Sequence, residues 1–243
     1  VGGRGIRGMH KLDRSRVNAP ACLAEYDHRT QTWDDLNGEC KKALRAMLVQ
    51  MQGIPGVTSE DAREYGVRCA YCEMQIHNAG HIEHFRRKNK HHHPELTFEW
   101  GNLFLACGSQ THCGHYKDRK NAPVYDPNEL IKPDEHDPEH YLYFHSSGEV
   151  RPHHRLQAAD ARRADETIRV FGLNDACLVG AREKVLRVYR GKIAADLDEL
   201  ASLGHHEVGD RTDRADRWLC FAEQLSTREP RPILQSIRCS RRR

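Results

Sequence analysis

Cys69-Ala70-Tyr71-Cys72, then Gly80-His81-Ile82-Glu83-His84-Phe85, then Trp100-Gly101-Asn102-Leu103, then Cys107, Cys113, His115 and Lys117 form the stretch that decides the fold. Two residues separate Cys69 from Cys72, the spacing of a metal knuckle, and five separate Cys107 from Cys113. Four thiols in two pairs suit one tetrahedral Zn²⁺. Cysteines are also common as small apolar core residues. Against that reading, Cys69 and Cys72 sit beside Arg68 and Glu73 with little apolar neighbourhood. His112 and His115 can each replace a cysteine as ligand, so the spacing leaves the ligand set open. A structural zinc supplies roughly 10–16 kcal/mol of apparent binding energy, against a net domain stability of about 5–15 kcal/mol. The metal therefore decides whether this segment folds.

Outward from that stretch the sequence reads as α+β. Residues 69–85 form a short knuckle followed by strand-turn-strand, with Asn78-Ala79-Gly80 as the turn. A helix begins near Cys113 and carries Lys117. Upstream, Leu36, Cys40, Leu44, Met47, Leu48 and Met51 recur at three- and four-residue steps and predict a helix over 34–52, ended by Gly53-Ile54-Pro55-Gly56. A short helix over 59–65 has Ser59 as its N-cap. Downstream, Pro123, Pro127, Pro133 and Pro138 mark 120–140 as a crossover, and 141–151 reads as a hairpin. Ala161, Ala164, Ile168 and Phe171 give one helical stripe. Leu178, Ala181, Val185 and Tyr189 give a second, and Trp218, Leu219, Phe221 and Leu225 give a third at about 210–226. The expected organisation is a tag or upstream extension over 1–8 and an N-terminal helical region over 9–66. A zinc-stapled core with its hairpin follows over 67–152, then a C-terminal helical region over 153–228 and a basic tail over 229–243.

The 243 residues carry a net charge of +3, so any nucleic-acid site must come from a local basic patch. Mean hydropathy is −0.80 and 30% of residues are charged, which suits a chain that is either loosely built or leaves part of its surface for a partner. No apolar run approaches the length of a membrane span. Beyond the cluster the cysteines are scattered and odd in number, which argues against a disulfide framework and for a reducing, cytoplasmic setting.

Between the cysteine pairs lie a histidine, a carboxylate and an amide. Neutral imidazole can take a proton from water near pH 7, and a divalent cation prefers carboxylate oxygen. Glu83 and His84 are adjacent and would face opposite sides of a regular strand, so they share a site only where the strand bends or ends. Arg86, Arg87, Lys88 and Lys90 follow directly, and Lys117, Arg119 and Lys120 follow the last cysteine. These two clusters can bracket the phosphates of a bound strand.

With CAYCE, HIEHFRRK, PELTFEWGNLFLAC, THCGHYKD and ETIRVFGLNDACLVGAREKVL, the chain resembles the HNH nucleases, and within them the PtuB family, over roughly residues 65–190. PtuB proteins are the HNH subunits of Septu antiphage systems and also occur with some retrons. The resemblance implies a ββα-metal nuclease core stapled by Cys69, Cys72, Cys107 and Cys113 on structural zinc. It implies His84 as general base, Glu83 as a ligand of catalytic Mg²⁺ or Mn²⁺, and Asn102 orienting the base or the loop. It also implies Arg86, Arg87, Lys88 and Lys117 at nucleic acid, DNA or RNA, and a hetero-oligomer with a PtuA-type ATPase. One position departs from the pattern: Gly114 stands where many HNH proteins carry His or Asn. The final metal ligand is then His115 or another group such as Asp118. The rival readings are a stand-alone restriction-type nuclease and a zinc-stapled scaffold that has lost catalysis.

Overall fold

Asn37 starts the first long helix, its side chain accepting the backbone N–H of Cys40 at 2.7 Å, as an N-cap does. In the computed structural model, which describes residues 10–53, 66–76, 79–122 and 124–204, this helix, α1, spans Gly38–Gln52. It begins later than the apolar stripe predicted because Thr32 and Asp35 form a capping box around a separate 3₁₀ turn, Trp33–Asp35. Cys40, Leu44, Leu48, Val49 and Met51 are buried. Gln52, at the end of α1, is buried as well and acts as a piece of strand. Its amide donates to the carbonyls of Arg68 (2.9 Å) and Leu105 (3.1 Å) and accepts from the N–H of Leu105 at 2.7 Å.

Leu105 belongs to β2 (Leu103–Ala106), which pairs antiparallel with β1 (His81–His84) in the register His81 to Ala106 and His84 to Leu103. The expected strand-turn-strand before Phe85 is therefore not formed as such. Among the described residues, the segment before the turn makes an isolated bridge, Arg68 to Gln75, and β1 finds its partner some twenty residues downstream. All four residues of β2 are fully buried, and the 3₁₀ turn Trp100–Asn102 feeds the chain into it.

A short helix, α2 (Cys113–Lys117), crosses beside this sheet and packs on α4 (Ala158–Phe171). Between them run the short helix α3 (Pro138–Tyr141) and the hairpin β3 (Leu142–Phe144) and β4 (Val150–Pro152), the one the sequence predicts. Gly172 ends α4 in the left-handed conformation (φ 58°), with the Leu173 N–H returning to the Ile168 carbonyl at 3.0 Å. A Cβ there would stand 3.0 Å from the Tyr116 ring. The last described helix, α5, spans Ala176–Gly204.

Phe171 stacks on Tyr71 (centroids 4.1 Å apart), and Phe85 and Phe104 complete the aromatic centre. Leu44 and Leu48 of α1, the whole of β2, and Val170 and Phe171 of α4 share one core. Arg14 closes it from outside, its guanidinium over the Trp100 and Phe104 rings (5.0 and 4.4 Å), donating to the Leu103 carbonyl and paired with Asp134.

One expectation needs correction. Cys22 and Cys40 form a disulfide, because the 3₁₀ turn Ala21–Glu25 brings Cys22 to within 5.9 Å (Cα–Cα) of Cys40 on the first turn of α1. Wholly reduced cysteines are therefore not what this fold contains, and the reducing setting inferred from their scatter loses that support. No described helix is long and apolar enough to cross a membrane. The helices predicted over 59–65 and 210–226, and the basic tail, lie outside the described residues.

Candidate metal centre and histidine cleft

The knuckle is built by backbone bonds. The Cys69 N–H donates to the Met74 carbonyl (2.9 Å) and the Glu73 N–H to the Cys69 carbonyl (3.1 Å). Glu73 takes a left-handed conformation (φ 59°) to close the turn. The Ala70 N–H then ties the knuckle to β2 through the Leu105 carbonyl at 3.0 Å. Cys107 follows the last residue of β2, and Cys113 opens α2, also at positive φ (62°). All four sulfurs are buried and lie within 4.8 Å of one another, with Cys69 to Cys113 at 3.7 Å and Cys72 to Cys107 at 3.9 Å. Four sulfurs at about 2.3 Å from a tetrahedral zinc stand about 3.8 Å apart. The set can therefore hold a metal such as zinc.

His112 is placed against this cluster, its Nδ1 3.2 Å from Cys113 Sγ and 3.6 Å from Cys107 Sγ. It serves the sulfurs as a hydrogen-bond partner. His115 lies elsewhere. The charge balance favours a cation: burial pushes the Cys113 thiol up and its bond with Cys107 pushes Cys72 up, while bonds from Cys113 and the other two thiols hold Cys107 down. Buried thiols this close keep only part of their negative charge unless a metal compensates it.

The second centre stands at the end of β1. His84 is buried, and its Nε2 lies 2.9 Å from the Thr97 carbonyl. A carbonyl only accepts, so Nε2 carries the proton and the lone pair is on Nδ1. Trp33 meets the ring edge-on at 4.5 Å. Burial, then the charge of Lys88, pulls the His84 pKa down to about 4, so the ring is neutral at physiological pH. Asn102 fixes the turn that follows β1. Its Oδ1 accepts the Arg86 N–H (2.7 Å), and its Nδ2 donates to the Arg86 and Leu96 carbonyls (3.0 and 3.1 Å). Asn102 thus orients the loop.

His84 lines a cleft of about 390 Å³ with Arg87, Lys88, Asn89, His92, Asp118, Arg119 and Lys120. The two basic clusters of the sequence do meet here, but not in every member. Arg86 instead donates to the Asn128 side chain at 2.7 Å and does not line the cleft. Lys117, expected at nucleic acid, is fully buried and bonded inside the protein, because α2 turns it inward beneath β1.

Glu83 and His84 part company, as strand alternation requires. Glu83 points toward α2 and is buried, with Oε1 3.0 Å from Lys117 Nζ and Oε2 3.2 Å from His81 Nε2. Burial raises its pKa, but Lys117 and His81 outweigh that and bring it to about 2. His115 stacks on His81, rings 4.0 Å apart and nearly parallel, and burial lowers its pKa. Among the described residues the four thiols are the one group of three or more His, Cys, Asp or Glu side chains whose ligand atoms converge. Glu83 and His115 are not part of such a group, and the Glu83 carboxylate faces Lys117 and His81. The carboxylate beside His84 in the cleft is Asp118.

Sequence reasoning passed over His81, although its place two residues before Glu83 on the same strand face carried the signal. Trp33 and Thr97 gave none, since only the folded chain brings them to His84. His92 comes from a histidine run to which the sequence assigns no role. Comparison with protein-family models and with curated proteins found no match.

Proposed function

We propose that this chain is a phosphodiester hydrolase of the HNH type acting on nucleic acid, with His84 as general base. One observation carries the reading: a neutral histidine with its lone pair on Nδ1 lines a cleft whose rim supplies Arg87, Lys88, Arg119 and Lys120. Nδ1 takes a proton from water, the hydroxide attacks phosphorus, and the P–O bond to the leaving sugar oxygen breaks, that oxygen taking a proton from solvent, to which His84 then returns its own. The cations hold the phosphate and offset the charge that builds on its oxygens. Asn102 keeps the loop after β1 in place, and the cysteine-bound zinc anchors both β2 and α2 around it. The resemblance alone would add Mg²⁺ or Mn²⁺ at Glu83 and His115.

The motif resemblance alone supports the wider setting, a cytoplasmic antiphage complex in which this chain is the nuclease subunit beside a PtuA-type ATPase. A second reading is favoured by Glu83, whose carboxylate is already taken by Lys117 and His81: a zinc-stapled module that binds nucleic acid without cutting it. The stand-alone restriction-type enzyme would cut without a partner. One experiment separates all three. Wild-type protein and His84→Ala are incubated with supercoiled plasmid and with single-stranded RNA, alone and with a co-expressed ATPase subunit. The proposal expects nicking that depends on His84 and is increased by the partner. Gel-shift binding with no nicking under any condition supports the module, and full nicking by His84→Ala overturns the assignment.

A further inference from the structure

Lys117 is the most deeply buried charge in the described chain. Its ammonium donates to Asp118 Oδ1 at 2.7 Å and to the backbone carbonyl of His84 at 3.0 Å, and it forms an ion pair with Glu83 Oε1 at 3.0 Å. It therefore bridges the carboxylate behind β1, the carboxylate in the cleft and the main chain of the proposed base. Arg87 adds a second cation to Asp118, its Nε at 3.0 Å, and its guanidinium also reaches the Lys117 carbonyl. Two carboxylates thus face two cations, and the local charge is already balanced.

Gly114 makes this arrangement possible. A Cβ at that position would lie 2.3 Å from Glu83 Oε2 and 2.4 Å from its carboxyl carbon. Any side chain there would force the carboxylate to shift. The residue that departs from the HNH pattern is thus the one that lets Glu83 lie against α2.

We infer that Lys117 is the resident cation of this centre: it occupies the place between Glu83 and Asp118 that a divalent metal would take, and it positions His84 through the carbonyl. The inference deepens the hydrolase reading and rests on it for the role of His84. Lys117 is a positioning residue, acting through His84 and the two carboxylates. Its pKa is held above the ordinary lysine value, since the Glu83 and Asp118 charges outweigh burial, which keeps the ammonium protonated.

The test is ion uptake by the zinc-loaded full chain, read by the electron paramagnetic resonance signal of free Mn²⁺. Wild-type protein should take up no stoichiometric Mn²⁺, and neither Mn²⁺ nor Mg²⁺ should raise its melting temperature. Lys117→Met leaves two carboxylates facing each other without their cation. It should melt lower by roughly 10 °C, bind one equivalent of Mn²⁺ and recover part of the lost melting temperature when Mn²⁺ is added. A merely structural lysine would not create an ion site when removed. One equivalent bound by wild type and lost in Glu83→Gln overturns the inference, whatever Lys117→Met does. A folded Lys117→Met that gains no Mn²⁺ affinity overturns it equally. Because the readout is ion binding, this inference can fail while nicking is found, and nicking can be absent while it holds.

Discussion

The Cys69/Cys72 pair and the Glu83/His84 pair are both close neighbours in sequence, and the fold treats them in opposite ways. The knuckle turns the chain so that two thiols converge with two more from β2 and α2. The strand keeps the chain straight, so two adjacent side chains diverge, one to the buried Lys117 and one to the open cleft. Spacing within a turn predicts convergence. Adjacency within a strand predicts separation, and an acid–histidine pair on a strand need not share a site.

The comparison breaks most readily on the cysteine side. Cys107→Ser, or zinc stripped with a chelator, should remove most of the roughly 10–16 kcal/mol that a structural zinc supplies, more than the about 5–15 kcal/mol of net stability of a domain. The protein should then lose its cooperative melt, followed by circular dichroism, and elemental analysis of the wild type should give about one zinc per chain. A metal-free chain with an unchanged melt would remove the cysteine frame from the account.

On the other side, Gly114→Ala forces a methyl against the Glu83 carboxylate. Overpacking of this kind costs about 1–3 kcal/mol. Urea unfolding should show that loss, whereas the same Gly114→Ala change made in a Glu83→Ala background should cost little further, because the clash needs both side chains. An unchanged midpoint for Gly114→Ala alone would mean that Glu83 does not lie against α2.

Asn102→Ala should cost about 1–3 kcal/mol by leaving the Arg86 N–H and the Leu96 carbonyl without their partner. Equal loss of stability in Asn102→Ala and Asn102→Asp would point to the carboxamide nitrogen as the group that matters.

The smallest expected effect is on pH dependence. A base held at about 4 by burial is ionised only below that value. Nicking should be level from about pH 5 to 8 with respect to His84 and should fall as pH drops through 4. Stability follows the same sign: the unfolded chain takes up the proton near 6.5 and the folded chain near 4. The His84 contribution is then complete above 6.5 and declines as pH falls toward 4. A rate that halves near pH 6.5 would mean that His84 is more hydrated than its place against Trp33 and Thr97 allows.

Much of this was legible in the sequence, for identifiable reasons. The stripe of α1, the start of α2 at Cys113, the 142–152 hairpin and the four cysteines are local patterns, and local patterns survive folding. The Ala164–Phe171 stripe was legible as a helix, and its buried members pack into the core beside Tyr71. Non-local facts were not legible: the pairing of β1 with β2, the Cys22–Cys40 bond, and Trp33 against His84. Lys117 misleads because charge can be read from a sequence and burial cannot. Only the placement of α2 turns a basic residue expected at phosphate into an internal ion pair.

The central claim is that His84 is the base of a hydrolytic cleft. The most direct measurement is the single-turnover rate of strand nicking by the zinc-loaded chain with its partner subunit, wild type against His84→Ala, with zinc content and melting temperature checked on both. The account predicts a rate loss of about 10²–10⁴ with zinc retained, whereas nicking by His84→Ala at the wild-type rate would contradict it.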